Sequence, residues 1–153
     1  MKRGLGIVAA SMLMGMAAPA LGQQNSSEGD QQIVTNLYQR WTAAFNRQDV
    51  SELMTLYTED AIRITPQGIF QGRDAMRKQL EGGLKAGAHD DSITPKIVQP
   101  SGDLIWNGGE WSAKVGDRSV HGYYSDVITR EGKLKFEAYN TAPPAPAQKP
   151  ARE

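Results

Sequence analysis

Residues 41–76 read WTAAFNRQDVSELMTLYTEDAIRITPQGIFQGRDAM. The hydrophobic period changes twice inside this stretch. Trp41 and Phe45 close an apolar stripe that begins upstream with Ile33, Val34, Leu37 and Tyr38. Spacings of three and four predict a helix over residues 30–46. Asp49-Val50-Ser51-Glu52 has the form of a capping box, in which Asp49 caps and Glu52 reaches back to it. Val50, Leu53, Met54 and Tyr57 then continue as a short second helix. From Ala61 the period drops to two, with Ile62 and Ile64 alternating with Arg63 up to Thr65. Pro66-Gln67-Gly68 is a turn, and residues 69–71 return as a short strand. Gly72 precedes a third helix with Ala75, Met76, Gln79, Leu80 and Leu84 on one face. Gly82, Gly83 and Gly87 weaken its end.

The remainder of the domain reads as strands. Residues 93–99 form one, and Pro95 inside it argues for a sheet edge. Residues 104–115 form the next. Gly116-Asp117 suits a two-residue hairpin turn, residues 118–130 follow, and Glu131-Gly132 turns the chain into a last strand over residues 133–141. Helices and strands are segregated along the chain, which predicts an α+β domain with a mainly antiparallel sheet.

Outside this region the chain changes character. Lys2 and Arg3 precede an uncharged, mostly apolar run over residues 5–16, and Ala20-Leu21-Gly22 offers a small-x-small cleavage site. This is the pattern of a secretory signal peptide over residues 1–22, so a periplasmic or secreted protein is expected. The alternative, an N-terminal membrane anchor, calls for about 20 apolar residues, and the run is short for that. No membrane anchor is expected after cleavage. Residues 23–29 are polar and expected to be unordered. Residues 143–153, PPAPAQKPARE, lack apolar periodicity and read as a disordered spacer, or as a Pro-rich ligand for a partner. The foldable unit is residues 30–142.

Composition removes several function classes. The chain of 153 residues has no cysteine, which excludes disulfides, thiolate metal sites and a thiol nucleophile. Its 17 basic and 17 acidic side chains balance, which argues against a nucleic-acid binder. No glycine-rich loop joins a strand to a helix, so no nucleotide cofactor is implied, and no cofactor is expected.

The stretch quoted above resembles the nuclear-transport-factor-2-like superfamily, and most closely its secreted SnoaL-like members. The resemblance rests on the helix, the N-x-x-D break after it, the Y-x-E-D-A segment and the G-x-x-G-R-D-A start of the third helix. REGKLKFEAYNTAPP, residues 130–144, looks like the family's terminal hairpin. The resemblance implies a strongly bent sheet wrapped on the long N-terminal helix, a pocket at the open end of this cone, and frequent homodimers. Family activities include ketosteroid isomerisation, polyketide cyclisation and dehydration, alongside non-catalytic members. Carried over residue by residue, the isomerase's general-base aspartate falls on Thr65, its helix tyrosine on Trp41, and its oxyanion-hole aspartate near Ser125, to within one residue. Thr, Trp and Ser cannot do that chemistry, so the isomerase route is rejected on these positions.

Hairpin arithmetic sorts the sheet residues into two faces. Turns at 116–117 and 131–132 place Ser112 opposite His121, Ser125 opposite Ala138 and Val127 opposite Phe136. One face collects Trp106, Glu110, His121, Tyr123, Ser125, Val127, Leu134, Phe136, Ala138 and Asn140; the other collects Ile105, Trp111, Ala113, Val120, Tyr124, Asp126, Ile128, Glu137 and Tyr139. A bulge at Gly108-Gly109 would exchange residues 104–107 between them. The first face is assigned to the pocket, because Val127, Leu134 and Phe136 offer an apolar patch to Trp41 and Phe45. Both faces carry apolar side chains, so a homodimer across the outer one is expected.

On that assignment Trp41, Phe45, Tyr57, Trp106, Ser125, Phe136 and Asn140 line the pocket. His121 and Glu110, diagonal neighbours, could form an oriented imidazole base, and Tyr123 could polarise a carbonyl. A hydrogen-bonded polar rim around an apolar cavity is the competing reading. His89-Asp90-Asp91 could suggest a metal cluster, but a closed site needs three or four converging ligands, and a solvated loop fits better; no metal site is expected. Three readings follow: a module binding a small, mostly apolar molecule; a cofactor-independent isomerase, cyclase or dehydratase using the His121–Glu110 base; or a purely structural protein that docks through its Pro-rich tail or outer sheet face.

Overall fold

A computed structural model describes residues 26–142. The long helix α1 spans Glu28–Asn46. It starts earlier than its apolar stripe, because Ser27 accepts the Asp30 amide at 3.1 Å and caps the first turn. Residues 28 and 29, expected in an unordered lead-in, are therefore helical. Residues 1–25 and 143–153, with the leader and the Pro/Ala tail, lie outside the described residues. α1 buries Val34, Leu37, Tyr38, Trp41, Ala44 and Phe45, the stripe legible in the sequence. Each large side chain so buried is worth roughly 1.5–3 kcal/mol.

Asp49 caps α2 (Val50–Thr55) by accepting the Glu52 amide at 3.0 Å. Only half of the capping box forms, since the Glu52 carboxylate turns to Arg40 at 2.6 Å instead. β1 (Tyr57–Thr65) and β2 (Gly68–Gln71) make the first hairpin, and α3 (Arg73–Lys85) follows. The four remaining strands are β3 (Ala88–Ser101), β4 (Leu104–Val115), β5 (Arg118–Thr129) and β6 (Leu134–Tyr139).

These six strands form one curved sheet in the order β2-β1-β6-β5-β4-β3. Every pairing is antiparallel except that of β1 with β6. β3 is an edge strand, as Pro95 required. The β4–β5 register is the expected one, with Val115 opposite Arg118 and Ser112 opposite His121, and it runs through Gly108-Gly109 without a bulge. The irregularity at that level lies on the neighbouring strand, where Pro95 and Ile97 face Gly109 and Gly108.

One register error matters for the site. Ser125–Ala138 and Val127–Phe136 pair as expected, but Leu134 sits opposite Ile128 rather than Thr129. The chain has one extra residue at Lys135, a bulge that turns Leu134 to the opposite side of the sheet from Phe136. Leu134 is buried in the core, and Phe136 lies on the other face. The apolar patch that assigned the first face to the pocket is thereby split. The inward face is the second set: Ile105, Trp111, Ala113, Tyr124, Asp126, Ile128, Glu137 and Tyr139 look toward the helices.

Candidate functional site

The concave face of the sheet, α1 and α3 enclose a cavity of about 820 Å³. Trp41, Phe45, Phe70, Trp111, Tyr124 and Tyr139 supply aromatic wall. Trp41 and Phe45, one helical turn apart on α1, stack with ring centroids 5.0 Å apart. Trp111 meets Tyr139 edge-on at 5.3 Å. Two polar clusters and one solitary carboxyl are set into this wall.

The first cluster centres on Arg63. Strand alternation on β1 points it inward, between Ile62 and Ile64. Its Nη1 donates to Glu137 Oε2 at 2.5 Å and to the Tyr57 hydroxyl at 2.6 Å. Tyr57 in turn donates to Glu137 at 2.7 Å and accepts from the Trp41 indole at 3.0 Å. The guanidinium lies 5.1 Å from the Tyr139 ring centroid and 5.8 Å from that of Trp41. Burial works against the charge on Arg63, but Glu137 and the surrounding tyrosines outweigh it and hold the guanidinium more firmly protonated than usual. Burial, with Glu137 adding, raises the Tyr57 hydroxyl well above its usual range.

The second cluster centres on Asp126 of β5. The Tyr38 hydroxyl donates to Asp126 Oδ2 and accepts from the Asn107 amide at 2.8 Å; the same amide reaches Tyr124 at 3.2 Å. Burial, reinforced by Glu137, pushes the Asp126 carboxyl well above the usual carboxylate range. Tyr38 is raised for the same reason, burial first and Asp126 second, and burial pushes Tyr124 up to about 12. Asp126 Oδ1 has no partner among the described residues.

The third feature is Asp91. Here β3 carries a bulge: His89 pairs with Lys114 and Ser92 with Ser112, so three steps on one strand match two on the other. Asp90 takes up the turn with φ 52, a left-handed conformation that Asp tolerates better than most residues. His89 and Asp90 stay at the surface, and Asp90 pairs with Lys114 at 3.0 Å. Asp91 is only 8% exposed and lines the cavity. The expected solvated loop is thus a bulged strand that aims one of its carboxyls inward. Thr42 Oγ1, at 3.5 Å, is its side chain's hydrogen-bond contact. Burial, then the charge of Glu137, pushes Asp91 up to about 7.

Of the expected pocket residues, Trp41 and Phe45 line the cavity. Tyr57 is buried just behind it, holding Arg63. The others do not reach it. Trp106 and Ser125 bond to each other at 2.8 Å on the outer face, Phe136 shares that face, and Asn140 is exposed, accepting the Tyr123 amide and the Trp111 indole. The proposed catalytic set is corrected in the same way. Glu110 and Tyr123 do sit directly opposite each other, with His121 diagonal to Glu110. All three are exposed on the outer face, and Glu110 pairs with Lys96 at 3.3 Å. Strand parity decided this, and the bulge at Lys135 misdirected it.

The residues missed were Tyr38, Arg63, Asp91, Asp126 and Glu137. A signal for two of them was present. The correct register sets Asp126 opposite Glu137 on adjacent strands, an arrangement of like charges that costs stability unless a proton or a cation intervenes. The carry-over from the isomerase had also come close. Its aspartate position, placed near Ser125, is one residue from Asp126, and the tyrosine on α1 that touches Asp126 is Tyr38, one turn before Trp41. Thr65 still offers no carboxylate; its hydroxyl bonds to Gln67.

The model of the SnoaL-like domain matches residues 38–137. The chain belongs to the SnoaL-like domain family. Solved structures similar to this SnoaL-like chain share its fold at low identity. A protein of unknown function with a cystatin-like fold from Nostoc punctiforme is 16% identical with a TM-score of 0.66, covering 78% of this chain and 96% of its own. A nuclear-transport-factor-2-like protein of unknown function from Shewanella oneidensis is 15% identical at 0.64, covering 72% and 98%. A ketosteroid isomerase-like protein from Erwinia carotovora atroseptica is 14% identical at 0.66, covering 77% and 100%. No curated protein matches.

Proposed function

We propose that this SnoaL-like protein is exported and binds a small, mostly apolar molecule in its cone cavity. The observation that carries the reading is the cavity of about 820 Å³, walled by aromatic side chains with a few polar groups set among them. That is the usual make-up of a small-molecule site. Asp126, held by Tyr38 through Oδ2, is one of these polar groups of the cavity wall. The signal-peptide pattern of residues 1–22 supports export. The outer sheet face supports a homodimer, since Ile97, Trp106 and Tyr123 are exposed there together.

The enzymatic alternative, a cofactor-independent isomerase, cyclase or dehydratase, needs a proton acceptor inside the cavity. His121 and Glu110 face away from it, so Asp91 would have to take that part.

Native mass spectrometry of the protein purified after export tests the reading. The expected result is a dimer of chains starting at Gln23, carrying extra mass that leaves on denaturation. An empty cavity that also takes up nothing from a library of apolar compounds would overturn ligand binding. A ligand recovered with solvent deuterium built into it would move the assignment to the enzymatic alternative.

A further inference from the structure

Asp91 differs from the other buried acids of the cavity. Glu137 is bonded by Arg63 and Tyr57, and Asp126 Oδ2 by Tyr38. Among the described residues, the Asp91 carboxylate has only a 3.5 Å contact with Thr42. Yet its backbone is fixed on both sides: Asn46 accepts the Asp91 amide at 2.7 Å and donates to the Asp91 carbonyl at 3.1 Å. A carboxyl aimed into an apolar cavity by a bulge, clamped in place and left without a cation is set up for a partner that arrives from outside.

The charged groups around Asp91 indicate which partner. α1 offers Thr42 and Asn46, both neutral. β6 offers Glu137, which repels a second negative charge, and β1 offers Arg63, which is engaged by Glu137. Lys78 and Arg118 also line the cavity, both on its exposed part. The deep wall therefore holds three carboxyls against one guanidinium. It already keeps that guanidinium charged between the Trp41 and Tyr139 rings. Independently, Asp126 and Gln79 line the cavity as further polar groups. Among the described residues Asp126 Oδ1 and Gln79 Oε1 have no hydrogen-bond partner, and both atoms are closed off from solvent. An ammonium brings three donors and no acceptor.

The geometry points to a cationic ligand: the cavity takes a small apolar molecule carrying a protonated amine, with the Asp91 carboxylate as its counter-ion and the aromatic wall around its body. This rests on the binding reading above and names its ligand class. An ammonium seated on Asp91 holds the carboxylate ionised, so the residue acts as an anchor and not as a base. A carboxylate-bearing ligand of the same size is rejected by Asp91 and Glu137.

The test uses three probes on one carbon skeleton: 1-naphthylmethylamine, 1-naphthylmethanol and 1-naphthoate, titrated calorimetrically into the whole protein. A charge-assisted contact with Asp91 gives the amine about tenfold tighter binding than the alcohol, with the carboxylate weakest. Asp91→Asn, which keeps the side-chain shape, removes the amine's advantage over the alcohol. In the unaltered protein the advantage grows as pH rises through about 7, where Asp91 ionises; this readout needs no variant. Equal binding of amine and alcohol, or an advantage that survives Asp91→Asn, overturns the inference and leaves the binding reading standing. Failure of all three probes, and of an apolar library with them, overturns both.

Discussion

Asn46 on α1 grips Asp91 on β3 by both of its backbone groups, accepting the amide at 2.7 Å and donating to the carbonyl at 3.1 Å. This amide does for the bulge what a neighbouring strand does for a regular residue. Asn46→Ala leaves both groups without that partner. The expected cost is about 1–3 kcal/mol, read as a lower urea midpoint with an unchanged slope. Amine selectivity should weaken with it, because the Asp91 carboxyl is no longer held in one place. A midpoint equal to that of the parent protein would mean that solvent replaces the clamp without loss.

The raised Asp91 makes stability depend on pH with an unusual sign. Its folded value is about 7, against 3.8 for the free side chain. Between those values the folded state binds the proton and the unfolded chain does not. Stability from this group is therefore greatest at the acidic end of the window and is lost as pH rises toward 7. Asp126, also raised, pulls in the same direction. Unfolding free energy should fall by up to several kcal/mol from about pH 5 to about pH 8. Asp91→Asn should flatten part of this slope. An unfolding free energy that rises over the same interval would contradict the burial of both acids.

Helix and strand positions were legible because they follow from period. The stripe from Val34 to Phe45 and the β4–β5 register needed only spacing and turn chemistry. The site was not legible for two local reasons. The bulge at Lys135 moved Leu134 across the sheet, which made the wrong face look apolar. The bulge at Asp90 turned a stretch that reads as a polar loop into a strand with one inward carboxyl. A one-residue insertion reverses side-chain direction without leaving a mark in composition. Burial of Arg63 was hidden differently: a charged residue between two isoleucines looks like the wet face of a strand until Glu137 is brought to it from 74 residues away.

Arg63 and Glu137 should tolerate removal together far better than removal of either alone. Arg63→Met leaves the Glu137 carboxylate buried without its cation, and Tyr57 with the Trp41 indole as its remaining donor. The expected loss is about 3–5 kcal/mol. Adding Glu137→Gln restores a neutral partner for the Tyr57 hydroxyl and should recover a substantial part of it. A double-mutant cycle in urea measures the coupling. Strictly additive losses would mean that the ion pair contributes nothing beyond its two side chains.

Asp126 and His121 make the sharpest contrast between the two faces of one strand. Burial raises the Asp126 carboxyl and so favours its uncharged form; Asp126→Asn puts an amide of nearly the same shape in its place, and Tyr38 can still donate to its oxygen. The fold should persist, with stability near that of the parent at acidic pH. Ligand uptake should change, because a carboxyl of the cavity wall has become an amide. His121 is exposed on the outer face, where its backbone carbonyl accepts the Ala142 amide at 2.8 Å. His121→Ala keeps that bond and should shift stability by less than about 0.5 kcal/mol. It should leave probe binding unchanged. Calorimetry on both variants decides the matter: if His121→Ala abolishes binding while Asp126→Asn spares it, the ligand sits on the outer face and the cavity assignment fails.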